Sequence, residues 1–401
     1  MKRNKILFLI IVILFGTFSF YRGYSSLSKE LRNYEIFFQK EFSEKKEISS
    51  QISEEELKEK IGQMIIVGFR GTKIDENSPI VRALRELNIG GVILYDIDGP
   101  SGKYPRNIIN KDQLRELILG LQKFAKIPLF IAIDAEGGKV NRLKQEYGFE
   151  EILSHRKLGE IDDLKITKRE AEKLARELKE VGINMNFAPV VDLNLNPQNP
   201  VISKLERSFS LSPQKVISHA EVFIKTFKEY KIVPVIKHFP GHGSSFGDSH
   251  FEKVDITNTF QEEELLPYKM LVKNKIVDAI LVSHLYHKKI DKNYPASLSE
   301  KFLKGILRKE IGFKGIIISD DFQMKSISNF YSLKDILEKA INCGINILLF
   351  SNNVSEYDEK LPYKIVNTIL NGVKEGRIQK ERILESYSKI YDLKRKYEII
   401  K

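Results

Sequence analysis

The chain has 401 residues, of which 42% are hydrophobic and 30% charged, and its formal net charge at pH 7 is +11. These values are typical of a globular protein of one or two domains and exclude wholesale disorder. Basic and acidic residues are interleaved, which predicts a solvated basic surface and no nucleic-acid partner, and the single cysteine, Cys343, excludes an internal disulfide and a cysteine-based zinc site.

The first predicted element is an N-terminal apolar segment. Three cations within the first five residues precede an apolar run that begins at Ile6 and stays mostly apolar through Tyr21. This layout is typical of a signal peptide or a signal anchor, which we assign to residues 1–27. The run is short for a spanning helix, which needs roughly 20 residues, but the cleavage pattern is weak, so an uncleaved anchor is narrowly favoured over a cleaved leader. In either form, the rest of the chain is expected outside the cytoplasm, tethered to the membrane or periplasmic or secreted.

A charged stretch follows over residues 28–59. It is rich in Glu, Lys and Ser and carries a thin apolar stripe at helical spacing, formed by Leu31, Tyr34 and Phe38. The pattern predicts a partly helical spacer between the N-terminal segment and a single domain over residues 60–401.

Within that domain, apolar runs typical of buried strands alternate with stretches of helical periodicity. The apolar runs lie at residues 64–69, 91–95, 128–134, 185–192, 233–238, 279–284, 315–321 and 345–350. The helical stretches include residues 111–125, 167–181, 215–230 and 333–342. Continuous apolar strands alternating with amphipathic helices predict an α/β protein with a parallel sheet covered by helices. Eight such runs favour a closed (β/α)8 barrel of the TIM type over an open doubly wound sheet.

Polar side chains gather at the carboxyl ends of these predicted strands. They are Asp134, Asp192, Lys237, His238, His284, Asp320 and Asp321. Barrels and open parallel sheets both build their active sites at this edge. We therefore expect the functional site at the C-terminal rim of the sheet.

The strand end richest in titratable groups is VPVIKHFPGHGSSFGDSH, at residues 233–250. A β-branched apolar run predicts a buried strand, and Pro240 with the two following glycines forces a loop. The loop carries His242, Asp248 and His250. A carboxylate two residues before an imidazole can orient the ring and raise its basicity, so that it exchanges protons near neutral pH. Taken alone, this spacing also fits a solvated pair in a loop.

Two consecutive aspartates, Asp320 and Asp321, end the isoleucine-rich strand at residues 315–319. Burying carboxylates at the end of an apolar strand costs free energy unless they are paired with another group or serve a function. We expect one of them to cap the following turn and the other to act as a nucleophile or a metal ligand. Alternation along the strand places Asp320 on the same face as Ile316 and Ile318, and Asp321 on the opposite face.

Lys237 and His238 end the strand that precedes the loop. A lysine at a polar rim can donate hydrogen bonds to the hydroxyl or carbonyl groups of a ligand. The alternative for Lys237 is a salt bridge at the rim, for example with Asp192.

A second motif, IDAEGGKVNR, contains Asp134, Glu136 and Arg142, and its two glycines predict a tight turn into the next helix. Arg207, in LERSFS, is either a further cationic donor or a surface arginine. The sequence has no strand–GxGxxG–helix unit and no Walker loop, which disfavours nucleotide binding.

Together these motifs resemble those of the glycoside hydrolase family 3 β-N-acetylhexosaminidases of the bacterial cell-wall recycling type. The similarity rests on KHFPGHG followed by D-x-H, on IDAEGG with its downstream arginine and on ISDDFQM, and it runs from about residue 61 to residue 350. KHFPGHG with D-x-H is specific, because it separates this branch from the β-glucosidases of the same family. The sequence departs from the usual pattern at Ala135, Lys139, Ser244 and Ser245 and in its export-type N-terminus.

The resemblance implies a retaining exo-β-N-acetylglucosaminidase that removes terminal N-acetylglucosamine from peptidoglycan fragments without a metal or other cofactor. Asp320 corresponds to the nucleophile that forms a covalent glycosyl-enzyme. His250, assisted by Asp248, corresponds to the acid/base on a mobile loop, and its ordinary pKa of about 6.5 suits both protonation states. The sugar-binding residues that correspond to the family pattern are Asp134, Arg142, Arg207, Lys237 and His238.

Other functions stay open at this point. A metal-dependent hydrolase would use His238, His242, Asp248 and His250, whose ligand types are suitable, although Pro240 prevents the helical HExxH spacing. A non-catalytic, membrane-tethered glycan-binding protein would bind sugar without turnover. A phosphorolytic enzyme that uses the same residues is a variant of the glycosidase hypothesis.

Overall fold

The computed structural model describes residues 52–354 and 356–401. The predicted signal or anchor at residues 1–27 and most of the predicted spacer lie outside the described residues. Among the helices that are described, none combines the length and the apolar character needed to cross a membrane.

The described residues contain one sheet of eight parallel strands, which are β1 Ile65–Gly68, β2 Gly91–Ile93, β3 Phe130–Ile133, β6 Met185–Asn186, β7 Val233–Phe239, β8 Ala279–Val282, β9 Ile316–Ser319 and β10 Leu348–Phe350. Their order in the sheet is β10-β1-β2-β3-β6-β7-β8-β9, and β4 Ala135–Gly137 and β5 Val140–Asn141 pair with each other separately. Each strand of the eight-stranded sheet overlaps one of the predicted apolar runs, and all eight are buried along their length. The continuous apolar character of these runs is explained by burial on both faces, inside the barrel and beneath the helices.

The two edge strands of this sheet approach each other. Ser319 N donates a hydrogen bond to Ile347 O at 3.0 Å, and Ile347 N donates to Ile317 O at 3.1 Å. Ile318 and Ile347 form a parallel bridge. The sheet is therefore a nearly closed eight-stranded barrel within the described part of the chain, consistent with the predicted TIM-type fold.

Helices surround the barrel and alternate with its strands. They are α1 Glu54–Gln63, α2 Pro79–Leu87, α3 Lys111–Phe124, α4 His155–Ile161, α5 Leu164–Val181, α6 Pro213–Glu229, α7 Leu266–Lys273, α8 Lys325–Ser328, α9 Leu333–Cys343, α10 Leu361–Lys374 and α11 Lys380–Lys396, with a π-helical segment at Lys301–Glu310. Local capping fixes several ends: Asn110 accepts a hydrogen bond from the backbone of α3, Ser332 does the same for α9, and Gly344 ends α9 in the left-handed conformation.

The C-terminal helix α11 covers the base of the barrel. Its Lys394 is completely buried, and the ammonium group donates hydrogen bonds to Gln63 Oε1 at 2.8 Å, Gly90 O at 3.0 Å and Pro128 O at 2.7 Å. These three acceptors precede β1, β2 and β3, so one side chain ties the helix to three strand entrances. Burial lowers the pKa of Lys394 to about 7.

Candidate active site

The carboxyl ends of the barrel strands surround a cavity of about 270 Å³. Seven of the residues predicted from the sequence line it: Asp134, Arg142, Arg207, Lys237, His238, His250 and Asp320. The eighth, Asp248, is held against His250 by a hydrogen bond. The structure thus brings all eight together at the rim, although the sequence separates them by up to 186 residues, from Asp134 to Asp320.

The loop after β7 presents an imidazole paired with a carboxylate. His250 Nδ1 lies 2.7 Å from Asp248 Oδ1, which also accepts a hydrogen bond from the backbone N–H of His250 at 2.9 Å. Burial acts to lower the pKa of His250, but the hydrogen bond and charge of Asp248, with the charge of Asp320, outweigh it, so this pKa lies above its ordinary value. Because Nδ1 faces the carboxylate, Nε2 is the nitrogen left to exchange a proton.

Asp320 follows β9 and faces the cavity. Its Oδ1 accepts a hydrogen bond from the backbone N–H of Asp321 at 2.8 Å. Burial acts to raise the pKa of Asp320, but the charge of His250 and the backbone hydrogen bond from Asp321 act in the opposite direction, and this pKa lies below its ordinary value. An ionised carboxylate at the cavity wall is the state that a nucleophile requires.

Its neighbour Asp321 is held by hydrogen bonds within the protein. The carboxylate is buried and accepts hydrogen bonds from the backbone N–H groups of Gln323 at 3.1 Å and Ser351 at 3.0 Å, and from the Ser351 hydroxyl. Burial raises the pKa of Asp321 to about 6. One of the two aspartates therefore holds the turn and the end of β10 while the other is left free for a ligand.

A buried glutamate joins the cations of the site. Arg207 contacts Glu136 through two hydrogen bonds of 2.8 and 2.7 Å, and Lys237 Nζ lies 2.7 Å from Glu136 and 2.6 Å from Asp134. Burial acts to raise the pKa of Glu136, but Arg207 and Lys237 hold it well below its ordinary value. The suggested pair between Lys237 and Asp192 is wrong, because β7 directs the ammonium group to the carboxylates that follow β3 instead.

Asp192 instead orients His238. Its Oδ2 lies 2.6 Å from His238 Nδ1, and its carboxylate also accepts the backbone N–H groups of His238 and, at 2.8 Å, His242. The other ring nitrogen, Nε2, lies 3.0 Å from Arg207 Nη2 and accepts from that guanidinium. The sequence left open whether Arg207 is a surface residue. Its side chain is only 9% exposed and contacts Glu136 on one side and His238 on the other.

Arg142 is carried by a hairpin of two short strands, β4 Ala135–Gly137 and β5 Val140–Asn141. Gly137 and Gly138 form its turn with φ of 94° and 59°, so the glycines lead into a hairpin and the expected helix does not follow directly. The Arg142 guanidinium lies 5.5 Å from the centre of the Tyr95 ring and 3.7 Å from Asp96, and its buried Nε has no hydrogen-bond partner within the described residues. It is a cation at the cavity wall with donor capacity to spare.

The proposed metal-ligand set is not assembled. In the part of the chain that the structure describes, no group of three or more His, Cys, Asp or Glu side chains could hold a metal ion. His242, one of the suggested ligands, is engaged through Nδ1 with Ser245 Oγ at 2.7 Å and through Nε2 with Ser249 Oγ at 3.3 Å.

Comparison with known proteins identifies the family of the chain. Residues 56–393 match the N-terminal domain of glycosyl hydrolase family 3. The chain belongs to this family. The resemblance inferred from the sequence is thereby confirmed, and with it the prediction that the protein is a glycoside hydrolase.

Two β-hexosaminidases and a solved family 3 structure are similar to most of the chain. It is 34% identical over 306 residues to a β-hexosaminidase of Nitrosomonas eutropha, which covers 74% of this chain and 83% of the relative. A β-hexosaminidase of Photobacterium profundum is 33% identical over 272 residues, covering 67% of this chain and 77% of the relative. The family 3 β-N-acetylglucosaminidase of a Paenibacillus species superimposes with a TM-score of 0.77 at 30% identity, and the match spans 86% of this chain and 63% of that structure.

Glu136 is the member of this family 3 site that was not selected from the sequence. It lies two residues after Asp134, so alternation along an extended segment places both carboxylates on one face, and that signal was available. The partnership of Asp192 with His238 has no comparable signal, because 46 residues separate the two.

Proposed function

We propose that this family 3 protein is a retaining exo-β-N-acetylglucosaminidase that removes terminal N-acetylglucosamine from peptidoglycan fragments. The observation that carries the proposal is the presence, at one cavity, of Asp320 with a lowered pKa and of His250 paired with Asp248. The β-hexosaminidases and the β-N-acetylglucosaminidase to which the chain is similar support the class of sugar.

In the proposed first step, an Asp320 oxygen forms a bond to C1 of the amino sugar while the glycosidic C1–O bond breaks. Protonated His250 gives the proton on Nε2 to the departing oxygen. In the second step, neutral His250 takes a proton from water, the water oxygen bonds to C1 and Asp320 is released. Two displacements at C1 retain the anomeric configuration.

The remaining polar residues suit binding of the sugar hydroxyls. Lys237 and Arg207 are fixed by Glu136, so their unused N–H groups are held in place before the ligand arrives. Asp134 offers carboxylate oxygens at the same wall, and Arg142 has a donor without a partner among the described residues. The set combines donors and acceptors, as polyhydroxyl recognition requires.

We also propose that the protein is exported, through an N-terminal segment that anchors it in the membrane or is cleaved. The three N-terminal cations and the apolar run after them support this proposal. Fusing residues 1–51 to a reporter enzyme that is active outside the cytoplasm tests it. Activity is expected in the membrane fraction for an anchor and in the soluble exported fraction for a cleaved leader, whereas an inactive reporter contradicts export.

The activity is tested with a chromogenic N-acetyl-β-glucosaminide, with chitobiose and with N-acetylglucosaminyl-anhydromuramyl peptide, with the products identified by mass. A fluorinated mechanism-based inactivator is expected to label Asp320, and a label elsewhere contradicts the assignment.

Release of a sugar 1-phosphate that depends on added phosphate would indicate phosphorolysis. Loss of activity with a chelator and recovery with zinc would favour a metal-dependent enzyme.

A further inference from the structure

Glu264 lies outside the cavity lining but contacts the loop that carries the acid/base pair. It is 1% exposed and belongs to a short 3-10 helix at Glu262–Leu265, directly before α7. Its Oε2 accepts hydrogen bonds from the backbone N–H groups of Gly243 at 3.0 Å and Ser244 at 3.3 Å, and its Oε1 accepts from the Ser244 hydroxyl at 2.5 Å. One carboxylate thus holds the turn at two backbone positions and one side chain.

The turn fits tightly between Glu264 and the loop after β6. A Cβ added at Gly241 would lie 2.6 Å from Glu264 Cβ, and one added at Gly243 would lie 1.8 Å from Leu193 O. Neither contact is tolerable, so both glycines of the GHG sequence are explained by close approach of their neighbours. The turn therefore has little freedom to move while Glu264 is in place.

Hydrogen bonds continue from this turn to Ser249, the residue between Asp248 and His250. Asn199 Nδ2 donates to His242 O at 2.7 Å and to Ser245 O at 3.1 Å, and His242 contacts both Ser245 and Ser249 through its ring. Ser249 is 2% exposed and stands between Asp248 and His250 in the chain.

Farther along the same loop, large side chains pack little against the rest of the protein. Phe246 and Phe251, which flank the acid/base pair in sequence, are 70% and 68% exposed. His250 itself is held from outside the loop by one backbone hydrogen bond, from Lys325 N–H to His250 O at 3.1 Å, and its position otherwise depends on the held base of the loop.

We propose that Glu264 is a positioning residue for the acid/base pair: by holding Gly243 and Ser244 it fixes, through His242 and Ser249, where His250 stands relative to the leaving-group oxygen. This inference rests on the proposed glycosidase activity. Glu264 transfers no proton to the substrate in this role.

The role has a specific kinetic consequence. Proton donation by His250 matters most for a leaving group of high pKa, such as a sugar hydroxyl, and little for an activated phenol that departs as its anion. A misplaced His250 should therefore impair hydrolysis of poor leaving groups selectively. A general loss of structure would impair both classes of substrate alike.

The test compares kcat/KM for 2,4-dinitrophenyl N-acetyl-β-glucosaminide and for chitobiose in the Glu264→Met variant. Methionine keeps the approximate length of the side chain but removes both acceptor oxygens, so the N–H groups of Gly243 and Ser244 and the Ser244 hydroxyl lose their shared partner. We expect kcat/KM for chitobiose to fall by about tenfold to a hundredfold, a part of the factor of about 100 to 10,000 that general acid catalysis supplies, and that for the activated substrate to fall far less. Glu263→Met, at an exposed position of the same short helix, is the matched control and should leave both values near wild type.

Equal losses on both substrates, or no loss on chitobiose, would overturn the proposal. If Glu264→Met does not fold, Ser244→Ala, which removes one of the three hydrogen bonds, is measured in the same way and must show the same selectivity in smaller degree. A wild-type protein that cleaves neither substrate contradicts the proposed function itself, which is a separate result.

Discussion

Replacing Glu136 by glutamine should weaken both the fold and the site. The carboxylate makes three short contacts to two cations, of 2.8 and 2.7 Å to Arg207 and 2.7 Å to Lys237, while it is 1% exposed. Glutamine retains one oxygen but presents an N–H₂ group to a guanidinium and leaves two buried cations without their shared anion. Removing one partner of a buried ion pair costs about 3–5 kcal/mol.

The loss should appear in two measurements. Urea denaturation, followed by far-ultraviolet circular dichroism because the chain has no tryptophan, should show a lower free energy of unfolding by about 3 kcal/mol or more. Since Arg207 and Lys237 line the cavity, kcat/KM should also fall by about a hundredfold or more, as each 1.4 kcal/mol corresponds to about tenfold. The stabilisation is present at pH above 4.5, the ordinary pKa of glutamate, and is lost as the pH falls toward the lower folded-state pKa.

A surface ion pair provides the control. Glu59 and Lys126 lie 3.0 Å apart with side chains 39% and 53% exposed, and such pairs contribute about 0–1 kcal/mol. Glu59→Gln should therefore leave both stability and activity close to wild type. If Glu136→Gln unfolds at the same urea concentration as wild type and keeps its kcat/KM, the charge network does not have the role assigned to it.

Three further results are expected. Asp320→Asn should lower kcat/KM by at least about a thousandfold while the unfolding transition stays in place, because the attacking oxygen is lost; a rate near wild type removes Asp320 from its role. Asp248→Asn should move the alkaline limb of the pH profile of kcat/KM to lower pH, because the carboxylate raises the pKa of His250 and the protonated ring is lost as pH rises through that value; an unmoved limb contradicts this. Lys394 has a pKa of about 7 when folded against 10.5 for the ordinary side chain, so wild-type stability should rise between pH 7 and 10.5, and Lys394→Met should flatten that rise in urea denaturation at several pH values.

The barrel could be predicted from the sequence because its signal is strong and repeated. A strand buried on both faces requires a continuous apolar run, and the runs at residues 64–69 and 315–321 coincide with β1 and β9. The hairpin β4–β5 was missed because strands of three and two residues are too short to show a periodicity. Nor does spacing in the sequence specify the contact between Ile318 and Ile347, which brings the sheet edges together.

At the rim, the sequence predicts the position of each charged side chain better than it predicts which side chain it contacts. Placing Lys237 and Asp134 at strand ends requires only the apolar runs, but pairing them requires the strand order, in which β6 alone separates β3 from β7. These two residues are 103 positions apart in the chain. The suggested partner, Asp192, lies nearer in sequence and engages His238 instead. Position along a strand is local information, whereas partnership depends on how the barrel is assembled.

The two histidines of the loop after β7 show why residue type alone does not assign an acid/base. His242 and His250 are eight residues apart in one motif, and either could exchange a proton by composition. Burial lowers the pKa of His242 to about 4, and its ring nitrogens are occupied by serine hydroxyls. His250 has Asp248 against one nitrogen and a raised pKa. The carboxylate, supplied two residues earlier in the chain, is what makes His250 the candidate that can be protonated when a leaving group departs.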